Sequence, residues 1–322
     1  MKILYIGCLG YNDHYNIGDW ACYEKFKEFL GPEFEVTTNE SEIESCYALV
    51  LGGGTILRAC SQSLPEKLFD KNIPIFIVGS GIELYGYPQH PISENFHKIL
   101  KTAKLVGVRG KLTSDFIKAN RHNCEVLGDI AMCCNTPKKH TGKENKTIAF
   151  NIGSTKNFLF GTEQILLDNS RAIVKKLIDM GYQVKKFAMW KEDFNLLKQI
   201  GEGETHQFVP NVTDILDFFK DCRMVIGEKL HTSILAFGCN VPFVSLSYRH
   251  KCLDFASSLG SGFEKYFIKT DDNKIVEKTI NIVSHIEKNY DLLKYKMEDI
   301  RDIYNTKQIS FFEKMKNIIR PC

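Results

Sequence analysis

Residues 221–251 read DCRMVIGEKLHTSILAFGCNVPFVSLSYRHK and form the most informative stretch of the chain. Met224–Gly227 is a short apolar run that predicts a strand, and residues 229–237 carry apolar side chains at helical spacing. Residues 241–247 are rich in β-branched and aromatic side chains, which predicts a second strand. The order strand, helix, strand, with another helix beginning after it, is typical of a parallel α/β sheet.

Basic and titratable side chains follow both of these predicted strands. Lys229 and His231 lie in the first turn of the predicted helix, and Lys251 lies just beyond the second strand. In open parallel sheets this edge is where ligands bind, and a helix N-terminus adds partial positive charge there. The pattern therefore predicts a small anionic substrate. Glu228 is a candidate partner of these cations, and His250 is the rival candidate for the site imidazole.

The composition indicates an ordinary globular protein. The 322 residues are 43% hydrophobic and 25% charged with a net charge of +3, and they contain no basic arm, so we expect no nucleic-acid partner. The eleven cysteines show no CxxC spacing, which favours a reducing cytoplasm. The N-terminal residues are typical of a buried strand rather than a signal peptide, and no apolar run reaches the ~20 residues of a membrane span. We therefore expect a soluble cytoplasmic protein.

The rest of the chain also alternates strand and helix patterns, which implies parallel pairing and right-handed crossovers. A polar, turn-rich segment at 135–146 is the predicted linker. We therefore predict two Rossmann-like domains, 1–140 and 141–322, facing each other across a cleft that holds the site. The remaining predicted elements are strands at 2–8, 47–51, 73–78, 105–109, 125–127, 147–152 and 183–188 and helices at 18–30, 162–180, 215–220 and within 274–319.

Two kinds of short motif follow the strands of the first half. Asn16-Ile-Gly-Asp19 lies at a loop-to-helix junction, where Gly18 permits close backbone approach. Asp19 is either the helix N-cap or a carboxylate that accepts a proton from an incoming hydroxyl. Gly52–Gly54 and Gly79-Ser80-Gly81 are either anion-binding backbone turns or tight turns for packing. Neither is a Walker A loop or a GxGxxG motif, so a dinucleotide is not indicated.

Arg109 lies at the end of a predicted strand, where a guanidinium can bind a carboxylate or phosphate through two parallel hydrogen bonds. The alternative is a solvated arginine. Asp129 follows the next strand, and we predict a structural role for it. The sequence shows no metal-ligand spacing and no GxSxG nucleophile motif, so we expect no metal and no covalent serine chemistry.

Taken together, these motifs resemble the polysaccharide pyruvyl transferase family. The resemblance runs in order along most of the chain and rests on Asn16-Ile-Gly-Asp19, Gly52–Gly54, Gly79-Ser-Gly81, Arg109 with Ser114, Gly128-Asp129, Lys229-Leu-His231, Ala236, Pro242, Tyr248 and Lys251.

The resemblance implies a two-domain fold like that of the GT-B glycosyltransferases. It also implies transfer of pyruvate from phosphoenolpyruvate, without a cofactor, to a sugar of a cell-surface polysaccharide or its lipid-linked precursor, as a ketal. The family's basic site residues carry over to Arg109, His231 and Lys251. Family members typically have arginine where this chain has Lys229, and lysine lacks the planar two-pronged grip, so the donor or its binding mode is left open.

The ketal chemistry suits these residue types. Phosphoenolpyruvate carries a carboxylate and a phosphate, which Arg109, Lys229 and Lys251 could bind. His231 is predicted to protonate the methylene carbon, and Asp19 to take the proton of the first sugar hydroxyl. The further predicted substrate-binding residues are Leu230, Asn16, Gly18, Gly53, Gly54 and Ser80.

Two other functions are open from the sequence. One is a GT-B glycosyltransferase that uses a nucleotide sugar, although no glutamate after residue 240 is a clear candidate for ribose binding. The other is a non-enzymatic scaffold of glycan assembly that keeps the fold without the chemistry. A lipid-linked acceptor would place the protein at the inner face of the membrane, whereas the basic residues near the C-terminus are interpreted as a solvated helix face.

Overall fold

Two six-stranded sheets, each parallel throughout, form the framework of the protein. The computed structural model describes residues 1–9, 15–57, 73–82, 94–153 and 160–320. Helices surround both sheets, so the predicted α/β fold of two Rossmann-like halves facing across a cleft is confirmed. Within the described ranges, no helix has the length and apolar character needed to cross a bilayer.

The first sheet has the strand order β2-β1-β3-β4-β5-β6. Its middle strands are fully buried and almost entirely apolar, as expected for a parallel sheet covered by helices. The second strand was not predicted, because its three partly exposed residues carry no apolar pattern. The elements are β1 (Lys2–Ile6), α1 (Ile17–Leu30), β2 (Glu35–Thr37), β3 (Ala48–Leu51), β4 (Ile75–Ser80), α2 (Glu94–Thr102), β5 (Leu105–Val108), α3 (Lys111–Ala119) and β6 (Glu125–Val126), with short 3-10 helices at Glu40–Ser45 and Ile130–Cys133.

The second sheet has the order β12-β11-β10-β7-β8-β9. Its elements are β7 (Thr147–Asn151), α4 (Glu163–Asp179), β8 (Gln183–Lys186), α5 (Asp193–Gln199), β9 (Glu204–Thr205), α6 (Val212–Lys220), β10 (Met224–Gly227), α7 (Leu230–Gly238), β11 (Phe243–Ser247), α8 (His250–Ser258), β12 (Phe267–Lys269), α9 (Ile275–Lys288) and α10 (Tyr290–Ile319), with 3-10 helices at Gly142–Glu144 and Glu264–Tyr266.

The stretch that opened the sequence analysis folds as predicted, into β10, α7, β11 and the start of α8. β10 and β11 pair in parallel, with Val225 opposite Phe243. The helix between them is buried on nearly all sides, since every residue of α7 except His231 is buried. His231 is therefore the one side chain of this helix that is directed out of the core toward the cleft.

The last helix, α10, crosses from the second half of the chain to the first. Phe311, Phe312 and Met315 lie in one apolar cluster with Ile3 and Phe26 of the first half. The ring of Phe312 is 5.7 Å from that of Phe26, measured between centroids. The predicted division at 140/141 assigned this helix to the second domain, whereas its C-terminal part packs on the first sheet. The sequence pattern identifies an amphipathic helix but does not show which sheet the helix covers.

The predicted linker packs against the second half of the molecule. The Thr141 N–H donates to the Lys220 carbonyl at 2.9 Å, and Lys138 forms an ion pair with Asp221. The segment is thus held by contacts to α6 and the turn that follows it. The first half contacts α7 and α8 through α1, α3 and the 3-10 helix Ile130–Cys133.

Candidate active site

The N-terminus of α1 forms one wall of the cleft, and Asn16 is its N-cap. The Asn16 side-chain oxygen accepts from the N–H groups of Gly18 at 3.2 Å and Asp19 at 3.4 Å, and its amide donates to the Asp19 carboxylate. The N-cap alternative for Asp19 is therefore wrong. The second carboxylate oxygen of Asp19, Oδ1, is buried with no hydrogen-bond partner among the described residues, which leaves it available to a ligand.

Burial raises the pKa of Asp19 to about 7, with Lys251 lowering it and Asp129 raising it. A carboxyl group with a pKa near neutrality can both accept and release a proton at working pH, as general base catalysis requires. The charge of Lys251 also acts on His231, so Lys251 faces the same part of the cleft as both groups.

Gly18 allows α1 to lie directly on His231. A Cβ atom at position 18 would be 2.1 Å from the imidazole Cγ and Nδ1, closer than any real contact. The requirement for glycine is therefore steric. This approach joins the N-terminus of α1 in the first half to the N-terminus of α7 in the second.

His231 meets two side chains of the first half. Its Nε2 lies 3.7 Å from Asp129 Oδ2 and 3.7 Å from the Cys22 sulfur. The Cys22 thiol donates to Asp129 Oδ1 at 3.3 Å, and the same oxygen accepts from the Ala131 N–H at 3.0 Å. Asp129 thus holds the turn after β6, in line with its predicted structural role, and it also lies beside the candidate catalytic imidazole.

Burial lowers the pKa of His231 to about 4, although Asp129 acts in the opposite direction. Lys251 and Arg109 lower the pKa further because they repel a second positive charge. The imidazole of the free protein is therefore neutral near pH 7. His250, the rival imidazole, packs edge-on against Phe160 with ring centroids 5.2 Å apart.

Arg109 is fully buried rather than solvated, and it connects the two halves. Its Nε donates to Asp254 of α8 at 3.2 Å, and its Nη1 donates to the Gly54 carbonyl at 3.2 Å. Asp254 also accepts from the N–H and hydroxyl of Thr113 at 2.9 and 2.8 Å. Of the guanidinium nitrogens, Nη2 alone has no hydrogen-bond partner in the part of the chain that the structure describes, and it lies against Gly81. A two-pronged grip on a ligand would therefore require this arginine to leave Asp254 or Gly54.

The glycine-rich turns are tightly packed. The Gly52 N–H donates to the Ile6 carbonyl at 2.9 Å, and the Gly53 N–H donates to the Tyr5 hydroxyl at 3.2 Å. These two N–H groups are thus used within the fold, which favours the packing interpretation over an anion-binding turn. A Cβ at Gly53 would lie 2.6 Å from the Cys22 sulfur.

The next glycine, Gly54, adopts a positive φ of 82°, and a Cβ there would lie 2.7 Å from Asp19 Oδ1. Ser80, at the end of β4, is buried, and its hydroxyl has no hydrogen-bond partner among the residues that the structure describes.

Lys229 lies among carboxylates at the end of β10. Its Nζ is 3.5 Å from Asp193 Oδ1 and 4.9 Å from the centroid of the Trp190 ring. Glu228 was predicted to pair with the cations. It is fully buried, and its Oε2 accepts from the Gly153 N–H at 3.0 Å. Burial raises the pKa of Glu228 to about 7, with Lys229 lowering it and Asp193 raising it.

Lys251 is only partly buried and lies 4.8 Å from the centroid of the Tyr248 ring, whereas Leu230 is buried beside the site. The structure thus gathers the predicted residues from both halves at one cleft, and their roles stay predictions. Sequence reasoning missed Cys22, Asp193 and Asp254. Each of them contacts its partner only in the folded protein, and each lies in a helix that carries no recognisable motif.

Solved structures with this architecture are distant in sequence. The Staphylococcus aureus MnaA–UDP co-structure aligns with a TM-score of 0.57 at 14% identity over 92% of this chain and 90% of that one. UDP-GlcNAc 2-epimerase from Neisseria meningitidis, bound to UDP-GlcNAc, aligns with a TM-score of 0.54 at 13% identity over 84% of this chain and 77% of that one. UGT2 of Phytolacca americana, complexed with UDP-2-fluoro-glucose and pterostilbene, aligns with a TM-score of 0.51 at 11% identity over 98% of this chain and 99% of that one. These similarities define the fold class, that of the GT-B glycosyltransferases and epimerases.

The family follows from the sequence. The profile of the family described as polysaccharide pyruvyl transferase matches residues 2–250. The chain therefore belongs to the polysaccharide pyruvyl transferase family, a family of enzymes whose acceptors are saccharides. No curated protein matches the chain.

Proposed function

We propose that the protein transfers pyruvate from phosphoenolpyruvate to two hydroxyls of one sugar in a cell-surface polysaccharide or its lipid-linked precursor, forming a pyruvate ketal. The observation that carries this proposal is the approach of Gly18 to the His231 imidazole, which brings Asp19 and His231 to one cleft, where the charge of Lys251 lowers the pKa of both groups. A cation, a carboxyl group that titrates near neutrality and an imidazole thus converge on one cleft.

The donor would lie with its anionic groups toward Lys251 and the unpartnered Nη2 of Arg109. Lys229 contributes less than the sequence indicated, because Asp193 already lies 3.5 Å from its ammonium group. The carboxylate and phosphate of phosphoenolpyruvate would lie against the ammonium group of Lys251, which is only partly buried. Fixed cations would also stabilise the phosphate as it departs.

The reaction begins with transfer of a proton from His231 to the methylene carbon, which leaves positive charge at C2. The first sugar hydroxyl adds to C2 and gives its proton to Asp19. The second hydroxyl then forms its bond to C2 as the C2–O bond to phosphate breaks. The proton of the second hydroxyl leaves with the phosphate. Asp19 then passes its proton to His231, which restores the protonated imidazole. The products are one ketal and one inorganic phosphate for each donor.

The acid role of His231 depends on the donor itself. The free imidazole is neutral near pH 7 because burial lowers its pKa to about 4. A bound phosphoenolpyruvate brings several negative charges into this poorly solvated cleft, which raises the pKa of the imidazole. Protonation of His231 is thereby coupled to donor binding, and the free enzyme does not hold the acid in its active form.

The test is a turnover assay with phosphoenolpyruvate and a panel of free and lipid-linked oligosaccharides. We expect acceptor-dependent phosphate release and a product whose mass rises by pyruvate less one water. His231→Gln should lose this activity, whereas His250→Gln, the matched control, should keep most of it. Full turnover by His231→Gln would eliminate the proposed acid.

A nucleotide-sugar donor and a non-catalytic scaffold remain the competing functions, and ligand-dependent thermal stabilisation separates them. Phosphoenolpyruvate, UDP-sugars and GDP-sugars are compared at equal concentration. Stabilisation by phosphoenolpyruvate supports the proposal, and stabilisation by a nucleotide sugar alone would replace it with glycosyl transfer. Stabilisation without turnover of any acceptor would favour the scaffold.

A further inference from the structure

We infer that Cys22, Asp129 and His231 form a binding site for a thiophilic divalent cation such as Zn²⁺, in the cleft between the two halves. These residues show no metal-ligand spacing in the sequence because they lie on three separate elements: α1, the turn after β6 and α7. Cys22 and Asp129 are fully buried, the His231 side chain is 11% exposed, and the potential ligand atoms lie within 4.8 Å of one another.

The distances suit a tetrahedral ion. The Cys22 sulfur is 3.7 Å from His231 Nε2 and 3.3 Å from Asp129 Oδ1, and His231 Nε2 is 3.7 Å from Asp129 Oδ2. Zinc bonds of ~2.3 Å to sulfur and ~2.0 Å to nitrogen or oxygen place tetrahedral ligands roughly 3.3 to 3.6 Å apart. The two Asp129 distances involve different oxygens, and with one ligand atom from each residue the atoms lie within 4.8 Å of one another, so shifts of up to roughly 1 Å would complete the site.

A second observation also points to a ligand. Asp129 is fully buried, yet its Oδ2 has no hydrogen-bond partner within the described ranges of the chain. His231 Nε2, at 3.7 Å, is too far away to satisfy it. A buried carboxylate oxygen without a partner is costly, and a cation between Asp129 and His231 would remove that cost.

The charges and ligand types select the class of metal. A thiolate, a carboxylate and a neutral imidazole balance the two positive charges of the ion. Sulfur and nitrogen ligands favour zinc over magnesium or calcium, which prefer oxygen. Three protein ligands leave a fourth position, open to water or substrate. The other charged groups facing His231 are Arg109, already paired with Asp254, and Lys251.

The surroundings hold the ligands in place. The Ala131 N–H donates to Asp129 Oδ1 at 3.0 Å, and Gln308 donates to the Asp129 carbonyl at 3.1 Å. Gly18 and Gly53 bring the backbone against His231 and Cys22, where a Cβ atom would lie 2.1 and 2.6 Å away. These contacts around the three candidate ligands hold their side chains in a defined orientation, as metal sites require.

Occupation of the site has a consequence for catalysis that rests on the proposed function. A metal bound at Nε2 occupies the nitrogen that would carry the donated proton. We therefore expect Zn²⁺ to inhibit pyruvate transfer and chelation to restore it. The metal would also connect the two halves, since Cys22 and Asp129 belong to the first and His231 to the second.

The test is titration of the metal-free protein with Co²⁺, followed by absorption spectroscopy. We expect one equivalent to produce a thiolate-to-cobalt charge-transfer band and the intense visible bands of a tetrahedral ion. Cys22→Ser should lose the charge-transfer band. Cys8→Ser, which removes an exposed thiol outside the trio, should retain it.

A visible spectrum without the thiolate band, or a thiolate band that survives Cys22→Ser, would overturn the assignment. Circular dichroism establishes that each variant is folded. If Cys22→Ser does not fold, His231→Gln and Asp129→Asn provide the decision, because each should weaken Co²⁺ binding at least tenfold. The Co²⁺ titration does not depend on turnover. A failure of the metal site can therefore be distinguished from a failure of the proposed activity.

Discussion

Arg109 and Asp254 form a buried ion pair, with Arg109 Nε 3.2 Å from Asp254 Oδ2, that links the first sheet to α8 of the second half. Their side chains are 0% and 3% exposed. Removing one partner from such a pair leaves an uncompensated buried charge, which is more damaging than replacing both.

We expect Asp254→Ala to lower the free energy of unfolding by about 3 to 5 kcal/mol, because the Arg109 guanidinium then loses its carboxylate while remaining buried. The double variant with Arg109→Met and Asp254→Leu should lose much less stability than the sum of the losses from Arg109→Met alone and Asp254→Leu alone. Urea unfolding of the full double-mutant cycle measures this coupling. A cycle in which the two effects simply add would contradict the pairing.

Glu228→Gln should stabilise the protein at high pH. Burial raises the pKa of Glu228 to about 7 from an ordinary value of 4.5, so the folded state favours the protonated form. The wild type therefore loses stability as the pH rises through this window, whereas a neutral glutamine does not. We expect a gain of roughly 1 to 3 kcal/mol near pH 8 and little change near pH 4. Chemical unfolding at both pH values measures the difference.

The matched control is Glu277→Gln, which alters an exposed glutamate on α9. Its effect on the free energy of unfolding should be small at both pH values. Equal effects of Glu228→Gln at pH 4 and pH 8 would show that ionisation of Glu228 is not the cause.

Donor binding should take up protons. Near pH 6.5 the free His231 imidazole is neutral, because burial lowers its pKa to about 4, and the anionic donor raises that pKa. Calorimetry in buffers of different ionisation enthalpy measures the uptake. His231→Gln should reduce the uptake, whereas Asp19→Asn should leave most of it, because the proposed base must stay ionised in the donor complex. An uptake unchanged in His231→Gln would exclude the imidazole as its source.

Gly18→Ala should displace His231. The added Cβ would lie 2.1 Å from the imidazole ring, so we expect a loss of about 1 to 3 kcal/mol of stability and a large loss of turnover. Adding His231→Ala creates space for the methyl group and should restore most of the stability, but not the activity. Unfolding measurements on the single and double variants test this. If the double variant is no more stable than Gly18→Ala, the strain lies elsewhere.

The local patterns of the sequence predicted the fold because each strand and its following helix lie close together in the chain. Residues 224–251 illustrate this, since β10, α7 and β11 each follow from a short window of side chains. The same logic placed Asp19, Arg109 and His231 at strand ends around one cleft.

Contacts between distant segments could not be obtained in this way. Asp254 is separated from Arg109 by 145 residues, and Cys22 from His231 by 209. Nothing in the local pattern of α1 or α8 distinguishes Cys22 or Asp254 from other small or acidic helix residues. The buried state of Arg109 is likewise a product of packing between the halves, because a strand-end position alone is equally compatible with a solvated guanidinium.

Because α10 packs on the first sheet, the first half of the chain is synthesised first, but its apolar cluster is completed only after the second half. Phe311, Phe312 and Met315 complete the apolar cluster around Ile3 and Phe26, and Arg320 pairs with Glu33 at 3.0 Å. The half that leaves the ribosome first must therefore keep one apolar face uncovered until the final helix emerges. Until then, the nascent first half depends on its surroundings to prevent association through that face.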